Sequence, residues 1–376
     1  MKVDFLFERI KKLGIECIIG IPDSTLKEFS NYLNNESKDE FKHYIPENEG
    51  ATVGLAAGFY LATRKPSCIY MQNSGIGNAL NPIVSLLNDK VYSIPALFVI
   101  GWRGEPGVYD EPQHRFQGEI TRELLNVLNI KNRVIDKNMN EDNLNCIFKE
   151  AKLELENNKQ FAIIVRMETF ESQYKCKYRN SHSINREDSI KHILKYIEST
   201  DMIVSTTGKI SRELYEQSNM ILGRHDQSFF TVGSMGHASM IALGIAKRQK
   251  DKRVYCIDGD GSVLMHMGSL AFIAKENPRN LIHIILNNEA HESVGGFPTC
   301  AEGCSIKSIA RACGYKRVYL ANTLEELDFA LKEIIERREL TLIEVKVNLE
   351  SRKDLGRPNE TAKENKEMFM KYHNVL

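Results

Sequence analysis

The chain has 376 residues, with 50 Lys+Arg against 50 Asp+Glu and a hydrophobic fraction of 42%. That length exceeds one ordinary core and suits two, and the composition is that of a soluble globular protein. A formal charge of zero excludes bulk electrostatic attraction to nucleic acid or to a membrane surface, and the longest apolar run, 94–100, falls far short of a membrane span.

Met1 to Arg9 carries a charge every few residues and lacks the apolar stretch of a signal peptide. The eight cysteines are scattered, which predicts reduced thiols in a cytoplasmic protein. Cys300 and Cys304, with Cys313 further on, lack the second short-spaced pair of a zinc site. Along the chain, Ile15 to Gly20 predicts a buried strand. Pro22-Asp23-Ser24 breaks it, and a helix follows over Leu26 to Leu33. Glu49 to Ala62 is a small-residue helix, which permits close approach by a neighbour or a ligand. Ser67 to Met71 predicts a strand ending in Asn73-Ser74-Gly75-Ile76-Gly77-Asn78. Ala96 to Ile100 predicts another, ending in Gly101-Trp102-Arg103-Gly104, and Phe161 to Val165 a third.

Residues 171–190 turn polar and predict an inter-domain linker, dividing the chain into domains 1–175 and 186–376. Strands follow at Met202–Ser205, Val254–Ile257, Leu281–Leu286 and Leu342–Val347. Arg352 to Lys371 is charged and reads as a solvated segment or a surface helix. Such alternation predicts an α/β fold of two domains, each a parallel sheet flanked by helices. Right-handed crossovers gather the strand-end loops of each sheet on one edge, where ligands bind.

One of those loops is Gly259-Asp260-Gly261-Ser262. Its glycines let backbone amides approach a phosphate, and a helix start adds a favourable dipole. Its aspartate would repel a bare phosphate unless a divalent cation lay between them. Magnesium wants hard oxygen ligands, and Asn287-Asn288, at the end of the next strand, can supply an amide oxygen. On the residues alone either asparagine serves, and Gly-Asp-Gly by itself is also the composition of a tight turn.

The two segments together resemble the magnesium–diphosphate motif of thiamine-diphosphate enzymes. The resemblance implies thiamine diphosphate and Mg2+ as cofactors. The metal would take Asp260, Asn288 (the second of the pair, by the family pattern) and the carbonyl of Ala290. Gly259, Gly261 and Ser262 complete the diphosphate loop, and Lys209 is a further cofactor contact. Glu49, in Glu49-Gly50-Ala51-Thr52-Val53-Gly54, resembles the glutamate that touches N1′ of the aminopyrimidine. Gly233-Ser234-Met235-Gly236 resembles the segment that bends the cofactor: Met235 would prop the rings apart and the Gly233 carbonyl would receive the 4′-amino group. Gly75, within Ser74 to Asn78, belongs to a glycine-rich loop lining the active site. Singly each has a plainer explanation: Glu49 a helix-start carboxylate, Met235 core filler, Asn78 a turn cap.

The linker leaves no room for the third domain that many such decarboxylases carry. That resembles the shorter branch containing the phosphonopyruvate and sulfopyruvate decarboxylases. Gly101 to Gly107, Glu111-Pro112-Gln113-His114, Ser205 to Lys209 and Glu292 to Gly296 look most like its phosphonopyruvate members. The resemblance thus implies decarboxylation of the small 2-oxo acid phosphonopyruvate, with sulfopyruvate as the nearest alternative. A non-catalytic cofactor-binding relative, or a carboligase, would be a different outcome. Glu49, His114, Gln117 and His291 are the candidate catalytic residues, the histidines as proton shuttles. Asn73, Ser74, Arg103, His114 and Arg212 are candidate substrate contacts, and Arg103, His114, Lys209 and Arg212 are the candidates for the anionic ends, arginine or lysine suiting the phosphonate best. The family places its cofactor between chains, which implies a homodimer or higher homo-oligomer, with Glu49 of one chain serving Asp260 of another.

Overall fold

Long buried strands set the architecture. In the computed structural model, which describes residues 1–35 and 40–375, the chain divides into two compact units. One comprises Met1–Lys177 with Val294–Phe297, the other Tyr178–Ser293 with Pro298–Leu376.

In the first unit β1 (Cys17–Gly20), β2 (Lys42–Tyr44), β3 (Ser67–Gln72), β4 (Ala96–Gly101), β5 (Lys131–Ile135) and β6 (Gln160–Val165) form a parallel sheet in the order β2-β1-β3-β4-β6-β5. Side chains alternate between its faces. Cys68 and Tyr70 of β3 join Leu97 and Val99 of β4 in one core. Ile69 and Met71 join Ala96, Phe98 and Ile100 in another. Both faces are therefore covered, which is why the central strands read as continuous apolar runs. The chain leaves β1 toward β2 but leaves β3 toward β4, so connections depart to opposite sides between β1 and β3. A crevice forms at the carboxyl ends of such strands.

The second unit repeats the plan. Its strands are β7 (Met202–Ser205), β8 (Ser228–Phe230), β9 (Val254–Gly259), β10 (Leu281–Asn287), β13 (Arg317–Ala321) and β14 (Thr341–Lys346); β11 (Ala290–His291) and β12 (Phe297–Pro298) are two-residue strands outside this sheet. The order is β13-β14-β10-β9-β7-β8, all parallel. Ile282, Ile284 and Leu286 of β10 face one core, and Leu281 and Ile285 the other. Here the direction of winding reverses between β7 and β9. The two α/β units and their parallel sheets are as the sequence predicts.

The predicted linker needs correction at its end. Residues Arg186–Leu194 form a helix, started by Asn185, whose side chain accepts from Glu187 N at 2.8 Å. Within Arg352 to Lys371 the helix begins only at Ala362, where Thr361 and Glu364 form a capping box. That helix is not wholly solvated. Phe369 is buried, and Asn365 accepts from Phe230 N at 3.1 Å and donates to Ser228 O at 2.9 Å, closing edge strand β8. Among the described residues no helix is long and apolar enough to cross a membrane.

His43 of β2 bonds through Nε2 to the Tyr70 hydroxyl at 2.9 Å, and burial lowers its pKa to about 4. The unfolded chain takes up this proton near pH 6.5. Between those values the unfolded state binds more protons, so stability is complete above pH 6.5 and declines toward pH 4. Melting temperature should fall over that window for the native chain and fall less for His43→Gln, as followed by circular dichroism.

Candidate active site

In the first unit Asn48 is extended, and its side chain accepts from Ala51 N at 2.9 Å. This cap starts the helix Glu49–Thr63 and makes Glu49 its first residue. Glu49 is 7% exposed, and its Oε2 accepts from Asn78 Nδ2 at 2.8 Å. Its other face lies against Gly75, where an added Cβ would stand 2.6 Å from Oε1. Only glycine lets the turn after β3 come this near. Asn73 is 2% exposed, and its amide is used internally. It donates to Arg103 O and to the Thr121 hydroxyl, both at 2.8 Å, and accepts from Arg103 N at 3.2 Å. These bonds tie it to the start of the loop after β4. Ser74 donates to Gln72 at 2.7 Å, and Gln72 donates in turn to Asp23, after β1, at 2.6 Å.

Arg103 grips Asp110 through Nε at 2.7 Å and Nη2 at 2.5 Å, and its Nη1 donates to Ser24 Oγ at 2.8 Å. Burial opposes the Asp110 charge, but Arg103 and the N–H groups of Glu111 and Gly104 hold that carboxyl well below the usual range. The Arg103 charge is thus already paired. His114 stands on the first turn of the helix Pro112–Val127, and Gln117 lies one turn along. Burial, then the nearby Arg103 charge, lowers the His114 pKa, and its Nδ1 is buried without a hydrogen-bond partner among the described residues.

In the second unit the loops after β7, β9 and β10 meet. Asp260 is 3% exposed; its Oδ2 accepts from the Thr299 hydroxyl at 2.5 Å, and the Asn288 N–H also donates to its carboxylate. Burial outweighs these donors and raises its pKa to about 6. Ser262 Oγ accepts from Thr206 Oγ1 at 2.9 Å and from Gly236 N at 3.1 Å, tying the segment Gly233–Gly236 to the loop. Met235 and His291 both approach Gly261: an added Cβ there would stand 3.2 Å from Met235 Cε and 3.4 Å from His291 Cε1. Burial lowers the His291 pKa to about 4, so its imidazole is neutral at physiological pH.

The two asparagines differ in surroundings. Asn287 is fully buried; it donates to Glu344 at 2.8 Å and accepts from Glu289 N at 3.0 Å. Asn288 touches Asp260 through its N–H. Its side chain accepts from Ala290 N at 3.1 Å and donates to Glu292 at 3.1 Å. Glu289 between Asn288 and Ala290 takes a left-handed φ of 59°, a strained setting that marks functional turns. Lys346 holds its carboxylate at 2.9 Å. Lys209 opens the helix Lys209–Leu222, with its ammonium on Glu292 at 3.0 Å and Ser351 at 2.6 Å. Arg212 lies on the same helix, partly exposed.

Several residues were not singled out by sequence. Thr299 has no local signal, because its contact with Asp260 joins positions 39 residues apart. Asp258 accepts from Gly259 N at 2.9 Å and meets His283 Nε2 at 3.4 Å, supporting the entry to the loop from inside the sheet. Arg186 donates twice to Glu213, at 2.7 and 2.6 Å, and also to Glu292. Arg186 and Glu213 are 3% and 1% exposed. Removing one partner of a buried ion pair leaves a charge stranded, and Arg186 keeps Glu292 if Glu213 is lost, so it is Arg186→Ala, which takes the cation from buried Glu213, that should lower the unfolding free energy by about 3–5 kcal/mol, as measured by urea denaturation.

Residues 2–125 match the model of the thiamine pyrophosphate enzyme N-terminal TPP binding domain, and residues 208–345 match that of the C-terminal TPP binding domain. A phosphonopyruvate decarboxylase of Streptomyces viridochromogenes is 33% identical, over 94% of this chain and 90% of that protein. One of Streptomyces hygroscopicus is 33% identical, over 92% of this chain and 87% of that protein. A sulfopyruvate decarboxylase of Methanosarcina acetivorans is 29% identical, over 90% of this chain and 89% of that protein. With both domain types matched and such relatives aligned along nearly their whole length, the chain belongs to the thiamine pyrophosphate enzymes, in the family of the phosphonopyruvate decarboxylases.

Proposed function

We propose that the chain decarboxylates 3-phosphonopyruvate to phosphonoacetaldehyde and carbon dioxide, using thiamine diphosphate and Mg2+. The observation that carries the proposal is the buried Asp260 carboxylate with Asn288 and Ala290 beside it, in a chain whose near full-length relatives are phosphonopyruvate decarboxylases. A carboxylate whose pKa burial raises to about 6 is short of positive charge, and a divalent ion supplies it. The Asp260 carboxylate, the Asn288 amide oxygen and the Ala290 carbonyl are all hard oxygen donors, which suits Mg2+ better than a thiophilic metal.

Bound thiamine diphosphate would supply the electron sink for the carbanion that carbon dioxide leaves behind, a task no amino-acid side chain does well. The chain's own residues do the rest. Gly259 and Gly261 would let the diphosphate approach the backbone N–H groups. Glu49, fixed by Asn78 and Gly75, holds a proton at N1′ of the aminopyrimidine. Met235 packs over Gly261, where it can keep the two rings of the cofactor folded. His291, neutral beside Gly261, is the candidate shuttle that accepts a proton and then passes it on, and His114 is the second candidate. Arg103 and Arg212 are proposed for the phosphonate, with Arg103 pre-oriented by Asp110 and Ser24. The chain acts as a homo-oligomer in which Glu49 of one copy serves Asp260 of another, an arrangement that rests on the family resemblance. The relative from Methanosarcina favours sulfopyruvate as the second substrate reading.

Carbon dioxide release from phosphonopyruvate should require both thiamine diphosphate and Mg2+, and should exceed release from sulfopyruvate and pyruvate. Glu49→Gln should lower kcat by about 100-fold or more, the usual worth of a positioned proton-transfer group. Recovered activity on mixing the inactive Glu49→Gln and Asp260→Asn chains would support the shared site; a preparation that binds the cofactor and releases no carbon dioxide from any 2-oxo acid would refute the enzyme assignment.

A further inference from the structure

We infer that Glu292 is a positioning residue for the metal loop: it fixes the Asn288 amide so that Oδ1, and not Nδ2, lies on the Ala290 side. The inference rests on the metal-dependent cofactor site proposed above and concerns a residue outside its ligand set.

An asparagine amide has two nearly isosteric orientations, and only one presents oxygen to a cation. Here Nδ2 donates to Glu292 Oε2 at 3.1 Å, and Oδ1 accepts from Ala290 N at 3.1 Å. Turning the amide over would set Nδ2 against the Ala290 N–H, donor to donor. It would also set Oδ1 against the Glu292 carboxylate, acceptor to acceptor. Both bonds would be lost, one of them to a charged group and correspondingly stronger.

The carboxylate doing this is itself held. Arg186 Nη1 binds its Oε2 and Lys209 Nζ its Oε1, the latter at 3.0 Å. Arg186 is in turn aimed by the two bonds to Glu213, and Lys209 by Ser351 at 2.6 Å. The Glu292 side chain is 10% exposed and those of Arg186 and Glu213 are 4% and 1%, so water competes weakly for these bonds. Two cations therefore fix the carboxylate whose Oε2 accepts from the Asn288 amide. Lys209, expected from sequence to touch the cofactor, reaches the metal loop through Glu292. Partners that orient a metal ligand from behind commonly govern affinity as strongly as some ligands do.

Mn2+ reports on this directly, because the free ion is counted by electron paramagnetic resonance. It would be titrated into the full-length chain with thiamine diphosphate present. Glu292→Ala should raise the Mn2+ Kd about 10–100-fold. Asn288→Asp should also weaken binding, since it sets a second carboxylate opposite Glu292. Adding Glu292→Gln to Asn288→Asp should then recover affinity severalfold, because the amide so introduced can donate where the native carboxylate repels. A merely structural role predicts the double variant to bind no better than Asn288→Asp. Unchanged Mn2+ affinity in Glu292→Ala, or no recovery in the double variant, overturns the inference. Failure of the native chain to take up Mn2+ with thiamine diphosphate overturns the metal site itself, a distinct result.

Discussion

A carboxylate removed from water has to be met by donors or by a cation, and the donors that meet Asp260 are uncharged. The Thr299 hydroxyl at 2.5 Å and the Asn288 N–H reach it, yet burial still drives its pKa to about 6. Strands β9 and β10 are in register with Gly259 beside Leu286, so the loops carrying Asp260 and Asn288 leave the sheet at the same level. The left-handed turn at Glu289 then brings the chain back through Ala290. Behind the loop, Glu344 holds Asn287 and Glu292 holds Asn288. Two adjacent asparagines thereby acquire different tasks.

Both units use the same physical device for different chemistry. Each parallel sheet is covered on both faces, so polar work is confined to the strand ends, and each reverses its winding direction where a crevice opens. In the first unit the strand-end loops place Glu49 by a helix cap and by the absence of a side chain at Gly75. In the second they place oxygen donors and glycine backbone suited to a metal diphosphate. The strong charges of each site, Arg103 with Asp110 and Arg186 with Glu213 and Glu292, are paired within their own unit.

The sequence revealed what depends on local pattern. Ala96–Ile100 and Leu281–Leu286 are legible as strands because burial on both faces leaves unbroken apolar runs. β2, β5 and β8 escaped notice because they are short or exposed on alternate residues; Lys131-Asn132-Arg133 of β5 looks like a loop until it pairs with β6. Arg186 falls inside the polar stretch that reads as a linker, since a charged residue gives no sign that its partner, Glu213, lies 27 positions away and buried. The motif residues of the second unit were found because glycine, aspartate and asparagine follow strands at recognisable spacings. Thr299 and Glu292 act only through contacts that folding creates.

The central claim is that Asp260 and its neighbours hold thiamine diphosphate through a divalent ion. Isothermal titration calorimetry of thiamine diphosphate into the native chain and into Asp260→Asn, each with and without Mg2+, tests it most directly. The account predicts strong binding only for the native chain with Mg2+, and its loss in Asp260→Asn. Binding of equal strength without the metal, or undiminished in Asp260→Asn, would contradict it.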